Sequence, residues 1–381
     1  MKKLVSAVLA GVMAASLVGC SSNSQAAGSS EASSNDDSEL KIAMVTDYGE
    51  ITDESFNQTT YEASKAWAEK NGAKFEYYKP ADDSDSDRET SIEEAIDDGY
   101  NIIIMPGYAF AQAIVDEAPN YPDVKFIALD VSQDDLDKAS GEKDWSSDNV
   151  FSAVYQEELA GYMAGYAAVK LGYTKLGFLG GMAAASVIRY GFGYVQGADE
   201  AAKELGNASD VEIKYVYAGQ FYGDSDITAR MDTWYKDGTQ VVFGCGGGVY
   251  TSAAEASGDN GKLIGVDVDQ KKIIDDKYGE GKTVTSAMKG LAATVNTLLD
   301  AIKDGKWDDY KGKIMKLGMV SDDPSKNYVQ LGTTQWDDGF TEDDYKALVK
   351  KMYDGDIKVS DEIDKMPETE ITVDDEGSIK G

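Results

Sequence analysis

From residue 40 the chain repeats one pattern. A short run of consecutive apolar, mostly β-branched residues is followed by a longer stretch in which apolar positions recur every three or four residues. The runs KIAMVT, KFEYYK, NIIIMP and VKFIALD alternate with stretches such as TTYEASKAWAEKNG and QAIVDEAPNY. In the first of these, Ala63, Ala66 and Trp67 fall on one helical face, and Asn71-Gly72 supplies a stop. The rhythm resumes with NVFSAVY, KLGFLGG, EIKYVY, QVVFGCGG, KLIGVDV and TVTSAM. Strands that are apolar throughout are buried on both faces, so the alternation predicts parallel sheets covered by helices. The units are too many for one compact sheet, and two α/β lobes of similar size are expected.

The polar stretch 131–149, VSQDDLDKASGEKDWSSDN, lies between two strand-helix series and predicts their division. The N-terminal lobe is expected over 39–150 and also to receive part of about 268–310. The C-terminal lobe is expected over 151–267 and also to receive part of about 311–375. DYKALVKKMYDG reads as a helix, whereas ETEITVDDEGSIKG fits either a strand or a frayed end.

The first stretch, MKKLVSAVLAGVMAASLVGC, breaks the pattern. Lys2 and Lys3 precede an apolar segment, Leu4 to Leu17, that is too short and wrongly flanked for a transmembrane helix. A signal peptide is expected over 1–19. Its end, Leu17-Val18-Gly19-Cys20, resembles a bacterial lipobox, in which Cys20 becomes the lipidated first residue of the mature chain. Residues 20–38, rich in Ser, Ala and Asn, bury too little apolar surface to fold and read as a flexible tether. The expectation is an extracytoplasmic protein anchored to the cell membrane through Cys20.

Composition then narrows the chemistry. Of 381 residues, 42% are hydrophobic, enough for a full globular core. The formal net charge of −33 repels phosphate backbones and argues against nucleic-acid binding. The chain has no histidine, which excludes Ser-His-Asp and Cys-His mechanisms and His-ligated metals. With Cys20 lipidated, Cys245 stands alone, so neither a disulfide nor a thiolate metal site is expected.

Ligands in open parallel sheets bind at the carboxyl ends of the strands, so the loops there carry the candidate chemistry. In VTDYGEITDESFNQ, Asp53-Glu54-Ser55 can cap a helix starting near Phe56. Capping needs neither Phe56 nor Asn57, whose ring and amide suit stacking on a heterocycle and bonding to its edge. Asp130 and Asp267 each end an apolar strand; each suits a ligand donor, and each equally suits a turn or a cap. Gly180-Gly181 and Gly244-Cys245-Gly246-Gly247-Gly248 permit close backbone approach but match no dinucleotide or triphosphate fingerprint. Cys245 reads as a small buried hydrophobe. The aspartate-rich run Asp82–Asp87 lacks the glycine of a calcium loop, and Gly161-xxx-Gly165 reads as close helix packing in a soluble lobe. Carboxylates are so numerous that no catalytic pair stands out, and an enzyme is the weaker class.

The collinear series VTDYGEITDESFNQ, IIIMPGYAFAQAIVDEAPNYPDVKFIALD, NVFSAVYQEELAGYMAGYAA, KLGFLGGM…RYGFGYVQGA, VVFGCGGG, IGVDVDQ and TSAMK resembles the basic membrane protein family of lipoproteins, of the purine nucleoside receptor A type. These are nucleoside-binding receptors of ABC transporters. The resemblance covers roughly residues 40 to 305. It implies a type I periplasmic-binding-protein fold, two Rossmann-like lobes closing on one nucleoside, with a permease as partner and no cofactor or catalysis. By motif, Phe56 would stack on the base and Asn57 and Asp130 would bond its edge, with Asp47 beside them. Asp267 and Lys289 would hold ribose hydroxyls, and the backbone of Gly246, Gly247 and Gly248 would line the sugar side. The aromatic that closes the other face of the base is not fixed by alignment; Tyr222, Tyr190 and Trp234 are its candidates. The alternatives are a receptor for another small solute, such as an autoinducer, riboflavin or a sugar, and a surface-anchored nucleoside hydrolase.

Overall fold

The computed structural model describes residues 39–380. The expected signal peptide (1–19), tether (20–38) and lipidated Cys20 lie outside the described residues. Among the described residues no helix is long and apolar enough to cross a membrane.

The apolar runs form strands. The first sheet contains β1 (Lys41–Val45), β2 (Lys74–Tyr78), β3 (Ile102–Pro106), β4 (Lys125–Leu129), β5 (Val150–Tyr155) and, from much later in the chain, β11 (Lys313–Leu317). Their order is β11-β5-β4-β3-β1-β2, all parallel. The second sheet contains β6 (Lys175–Gly180), β7 (Glu212–Tyr217), β8 (Val241–Cys245), β9 (Lys262–Asp267), β10 (Thr283–Lys289), β12 (Val329–Leu331) and β13 (Thr372–Ser378). Its order is β12-β10-β9-β8-β6-β7-β13, parallel except for the edge strand β12. The helices between them are α1 (Phe56–Asn71), α2 (Asp85–Asp97), α3 (Ala111–Glu117), α4 (Gln133–Ser140), α5 (Glu157–Lys170), α6 (Ala185–Leu205), α7 (Ser225–Lys236), α8 (Tyr250–Ala256), α9 (Lys271–Tyr278), α10 (Leu291–Lys303) and α11 (Glu342–Tyr353).

The expected boundary at residue 150 needs correction. Val150–Tyr155 pairs with β4 and β11, so the first sheet takes one more strand and the chain crosses only after Tyr155. Of the return segments, β10 stays in the second sheet, β11 goes back to the first, and β12 and β13 join the second. Helix α10 lies against α1, where the Trp67 indole N–H donates to Asp300. Three segments therefore pass between the lobes, after Tyr155, after Lys289 and after Leu317. The tail that read as strand or frayed end is β13, paired with β7.

In each sheet the strand order reverses once. In the first, β1 is flanked by β2 and β3; in the second, β6 is flanked by β7 and β8. Loops diverge at such a switch point and leave a crevice at the strand ends. The loops after β1 and β3 thus face those after β6 and β8.

Glycine sets the position of one cleft wall. Gly161 and Gly165 on α5 and Gly193 and Gly197 on α6 lie at the helix crossing. A Cβ added at Gly161 or Gly165 would strike the Tyr190 or Tyr194 carbonyl, and one at Gly193 or Gly197 the Glu158 or Tyr162 carbonyl. The two backbones touch. In an exposed helix Gly→Ala gains about 1 kcal/mol from propensity. Here Gly165→Ala should instead cost about 1–3 kcal/mol, because the helices must separate in a close-packed core. Urea unfolding of the variant checks the sign.

Candidate functional site

The loop after β1 is organised by two aspartates. The Asp47 carboxylate accepts from the backbone N–H of Tyr48 (2.6 Å) and Gly49 (2.7 Å), and from the Asn57 amide (3.3 Å). Burial pushes its pKa up, against these hydrogen bonds. Asp53 accepts from the backbone N–H groups of Ser55, Asn57 and Gln58. It therefore satisfies two of the orphan donors at the start of α1, those of Asn57 and Gln58, from three residues upstream of Phe56. The Ser55 side chain makes no capping bond and donates instead to Asp267 (2.5 Å). The cap and the ligand-facing residues are thus separate: Phe56 is half-buried at the helix start, and Asn57 is buried with its Oδ1 unpartnered.

The same loop is fastened to the second lobe. Glu54, in the left-handed region at φ 55°, offers its carboxylate to the Tyr250 hydroxyl and its carbonyl to the Gln270 amide (2.9 Å). Across the cleft, the Tyr48 hydroxyl donates to the Met182 sulfur (3.2 Å). The lobes are closed on each other.

Asp130, directly after β4, and Asp267, the last residue of β9, lie in the left-handed region, at φ 63° and 66°. Aspartate is among the few residues that tolerate this conformation, and the bend aims both side chains into the cleft rather than along the sheet. Between them stands Lys289, the last residue of β10 and only 6% exposed. Its ammonium lies 2.5 Å from Asp130, 3.7 Å from Asp267 and 3.8 Å from Glu157. It also lies 4.5 Å from the centre of the Phe56 ring. Burial alone would lower the Lys289 pKa, but the three carboxylates outweigh it and hold the pKa above the ordinary range. Glu157 is fully buried; it accepts from Arg189 Nε (2.7 Å), while its other oxygen has no hydrogen-bond partner. One oxygen of Asp130 is likewise buried and unpartnered.

These residues enclose one cavity of about 650 Å³. Asp47, Phe56, Asn57, Asp130, Tyr190, Tyr222, Gly246, Gly247, Gly248, Asp267 and Lys289 all line it. The three aromatic candidates separate clearly. Trp234 is excluded: it is buried in the second lobe with its indole N–H donating to Glu376, and it does not reach the cavity. Tyr190 is 2% exposed, edge-on to Phe243, and forms floor rather than a wall. Tyr222 is 59% exposed at the rim. The half-buried aromatic on the second-lobe side is its neighbour Phe221, which the sequence reading did not name. A signal for it was present in the glycine clusters. A Cβ at Gly181, Gly246 or Gly247 would collide with Phe221, so the glycines make room for that residue.

Glu157, Arg189, Tyr48 and Tyr250 were also missed, because single polar residues at helix ends and in loops carry no distinguishing pattern. The aspartate run caps α2 through Ser84 and neutralises the buried Arg88 through Asp83 and Asp85. Among the described residues no acidic or cysteine group is arranged to hold a metal. Cys245 is buried, and desolvation pushes its thiol pKa far up, which removes it as a nucleophile.

Burial raises the Glu157 pKa from 4.5 to about 7. A carboxyl with a raised folded-state pKa stabilises the fold below its unfolded pKa and loses that contribution as pH rises through the folded value. Stability should therefore fall between pH 4.5 and about 7. Glu157→Gln should flatten that part of the profile in denaturant unfolding followed against pH.

Comparison with known proteins agrees with this architecture. Residues 40–359 match the family model Bmp, described as ABC transporter substrate-binding protein PnrA-like. The chain is 32% identical over 327 residues to the ABC transporter nucleoside-binding protein BmpA of Lactococcus lactis, covering 81% of this chain and 87% of that one. It is 25% identical to an uncharacterized lipoprotein of Pyrococcus abyssi, covering 74% and 67%. A crystal structure of an ABC transporter solute-binding protein from Aeropyrum pernix superposes with a TM-score of 0.68 at 20% identity, over 85% of this chain and 94% of that one, and shares the two-lobed α/β fold. The chain belongs to the Bmp family of PnrA-like ABC transporter substrate-binding proteins.

Proposed function

We propose that the cavity captures a purine nucleoside and that the protein, held at the outer membrane face through Cys20, passes it to a permease without chemistry on the ligand. The observation that carries this reading is a set of buried acceptors with no partner, Asn57 Oδ1 and Asp130 Oδ1, beside the Phe56 ring. A buried acceptor left unpaired costs about 1–3 kcal/mol, so the fitting ligand brings N–H donors. A guanine or hypoxanthine edge does so, and its flat ring fits between Phe56 from the first lobe and Phe221 from the second. Asp267 and Lys289 then take the ribose hydroxyls, with the Gly246 and Gly247 backbone lining the sugar side. The naming of the Lactococcus relative as nucleoside-binding supports the ligand class, and the lipoprotein naming of the Pyrococcus relative supports the anchor.

The charge of the cavity argues against nucleotides. Asp47, Asp53, Glu54, Asp130 and Asp267 line it; of the two lysines in its lining, Lys289 is already compensated by three carboxylates and Lys277 is exposed to solvent. A phosphate would find no free cation in the buried part of the site, and desolvating it there is costly.

Isothermal titration tests these points. Guanosine should bind more tightly than its monophosphate and at least about tenfold more tightly than purine riboside, whose base edge offers no N–H, since each unmet buried acceptor costs about 1 kcal/mol or more. Equal affinities would contradict the donor argument. Phe56→Ala and Phe221→Ala should each cost about 1–3 kcal/mol of nucleoside affinity through lost stacking. Tyr222→Ala, at the exposed rim, should cost far less. Incubation with guanosine should release no free base.

A further inference from the structure

The loop Gly219–Asp224 carries Phe221 and Tyr222 to the cavity, and its geometry is set from both sides. On the inner side, the Gly248 N–H donates to the Phe221 carbonyl (2.8 Å) and Ser252 accepts from the Asp224 N–H (3.0 Å). Within the loop, the buried Gln220 amide donates to the Tyr222 carbonyl (2.8 Å) and to Asp224 Oδ2 (3.0 Å). Asp224 also caps α7 with its other oxygen, accepting from Asp226 and Ile227 N–H.

On the outer side the last described strand arrives. β13 pairs with β7, the Ile379 N–H donates to the Tyr217 carbonyl (2.8 Å), and the chain then brings Lys380 over the loop. The Lys380 ammonium donates to Gln220 Oε1 (2.9 Å) and forms an ion pair with Asp224. Gly219, at φ 83°, leaves no room for a side chain beneath the Lys380 backbone. Lys380 holds the far end of Gln220 while Gln220 holds the carbonyl between Tyr222 and Gly223. A cation here fixes which end of the Gln220 amide is acceptor, and so which way its donors point. The ion pair also keeps the Asp224 pKa below the usual carboxylate range. Lys380 and β13 lie beyond the family match, which ends at residue 359, whereas the loop they hold lies within it.

We infer that Lys380 and strand β13 act as a positioning element for the ligand-facing loop, setting Phe221 for the bound base through Gln220 and Asp224. The ligand part of this inference rests on the nucleoside reading above; the loop part does not.

The test uses the full chain with Lys380→Met, which keeps β13 and its pairing, and Lys380→Arg, which keeps the charge. Hydrogen exchange of the ligand-free protein should show residues 218–224 exchanging several-fold faster in Lys380→Met, with no change in α5, α6 or the core strands. Guanosine affinity should fall about three- to tenfold, the cost of ordering one or two loop side chains on binding. Lys380→Arg should restore both. Unchanged exchange in the loop, or faster exchange with unchanged affinity, would overturn the positioning role. So would a uniform rise in exchange across the second lobe, which marks a merely structural contact. If the unaltered protein bound no nucleoside, the ligand reading would fall, and loop exchange would still decide whether Lys380 fixes the loop.

Discussion

A buried ammonium that must be compensated organises this molecule. Lys289 sits where the chain leaves the second sheet for α10, beside the first lobe. Removing its charge from water is costly, and only close carboxylates offset that cost. They come from both lobes: Asp130 follows a strand of the first sheet, while Asp267 and Glu157 belong to the second lobe. One cation therefore holds acidic groups together at a crossing point, and it does so only while the lobes keep their closed relation. It also decides what the cavity offers a ligand, since a compensated cation leaves acceptors, rather than a free positive charge, to be satisfied.

The scaffold serves that arrangement by backbone geometry. Two aspartates in the left-handed region turn their carboxylates into the cleft. Glycines on α5 and α6 let those helices touch, which brings Glu157 and Arg189 within a hydrogen bond of each other at the ends of their helices. Glycines after β6 and β8 leave space for Phe221. The geometry of the cleft is set largely by residues without side chains.

Much of this was legible in the sequence, for reasons that can be traced. The apolar runs KIAMV and KFIAL are buried along nearly their whole length, so periodicity alone identified them. The strand-end rule then picked out the loops that line the cavity; residue type made Phe56 and Asn57 suitable for a heterocycle, and the family resemblance turned that into specific expected roles for them and for Lys289. Sheet membership was not legible: β5, β10 and β11 look alike as strings, and which sheet each joins depends on partners distant in sequence. Phe221 was missed because it adjoins Tyr222 in a short loop, where only the backbone path decides which ring turns inward. Glu157 was missed because a glutamate in the first turn of a helix ordinarily faces water.

The most direct measurement is mass spectrometry of whatever small molecule leaves freshly purified protein on denaturation. A cleft of about 650 Å³, lined by acceptors and aromatic rings, should release an uncharged nucleoside with a donor-bearing base, in near-stoichiometric amount. Release of a sugar lacking a base, or of a phosphorylated compound, would contradict the account.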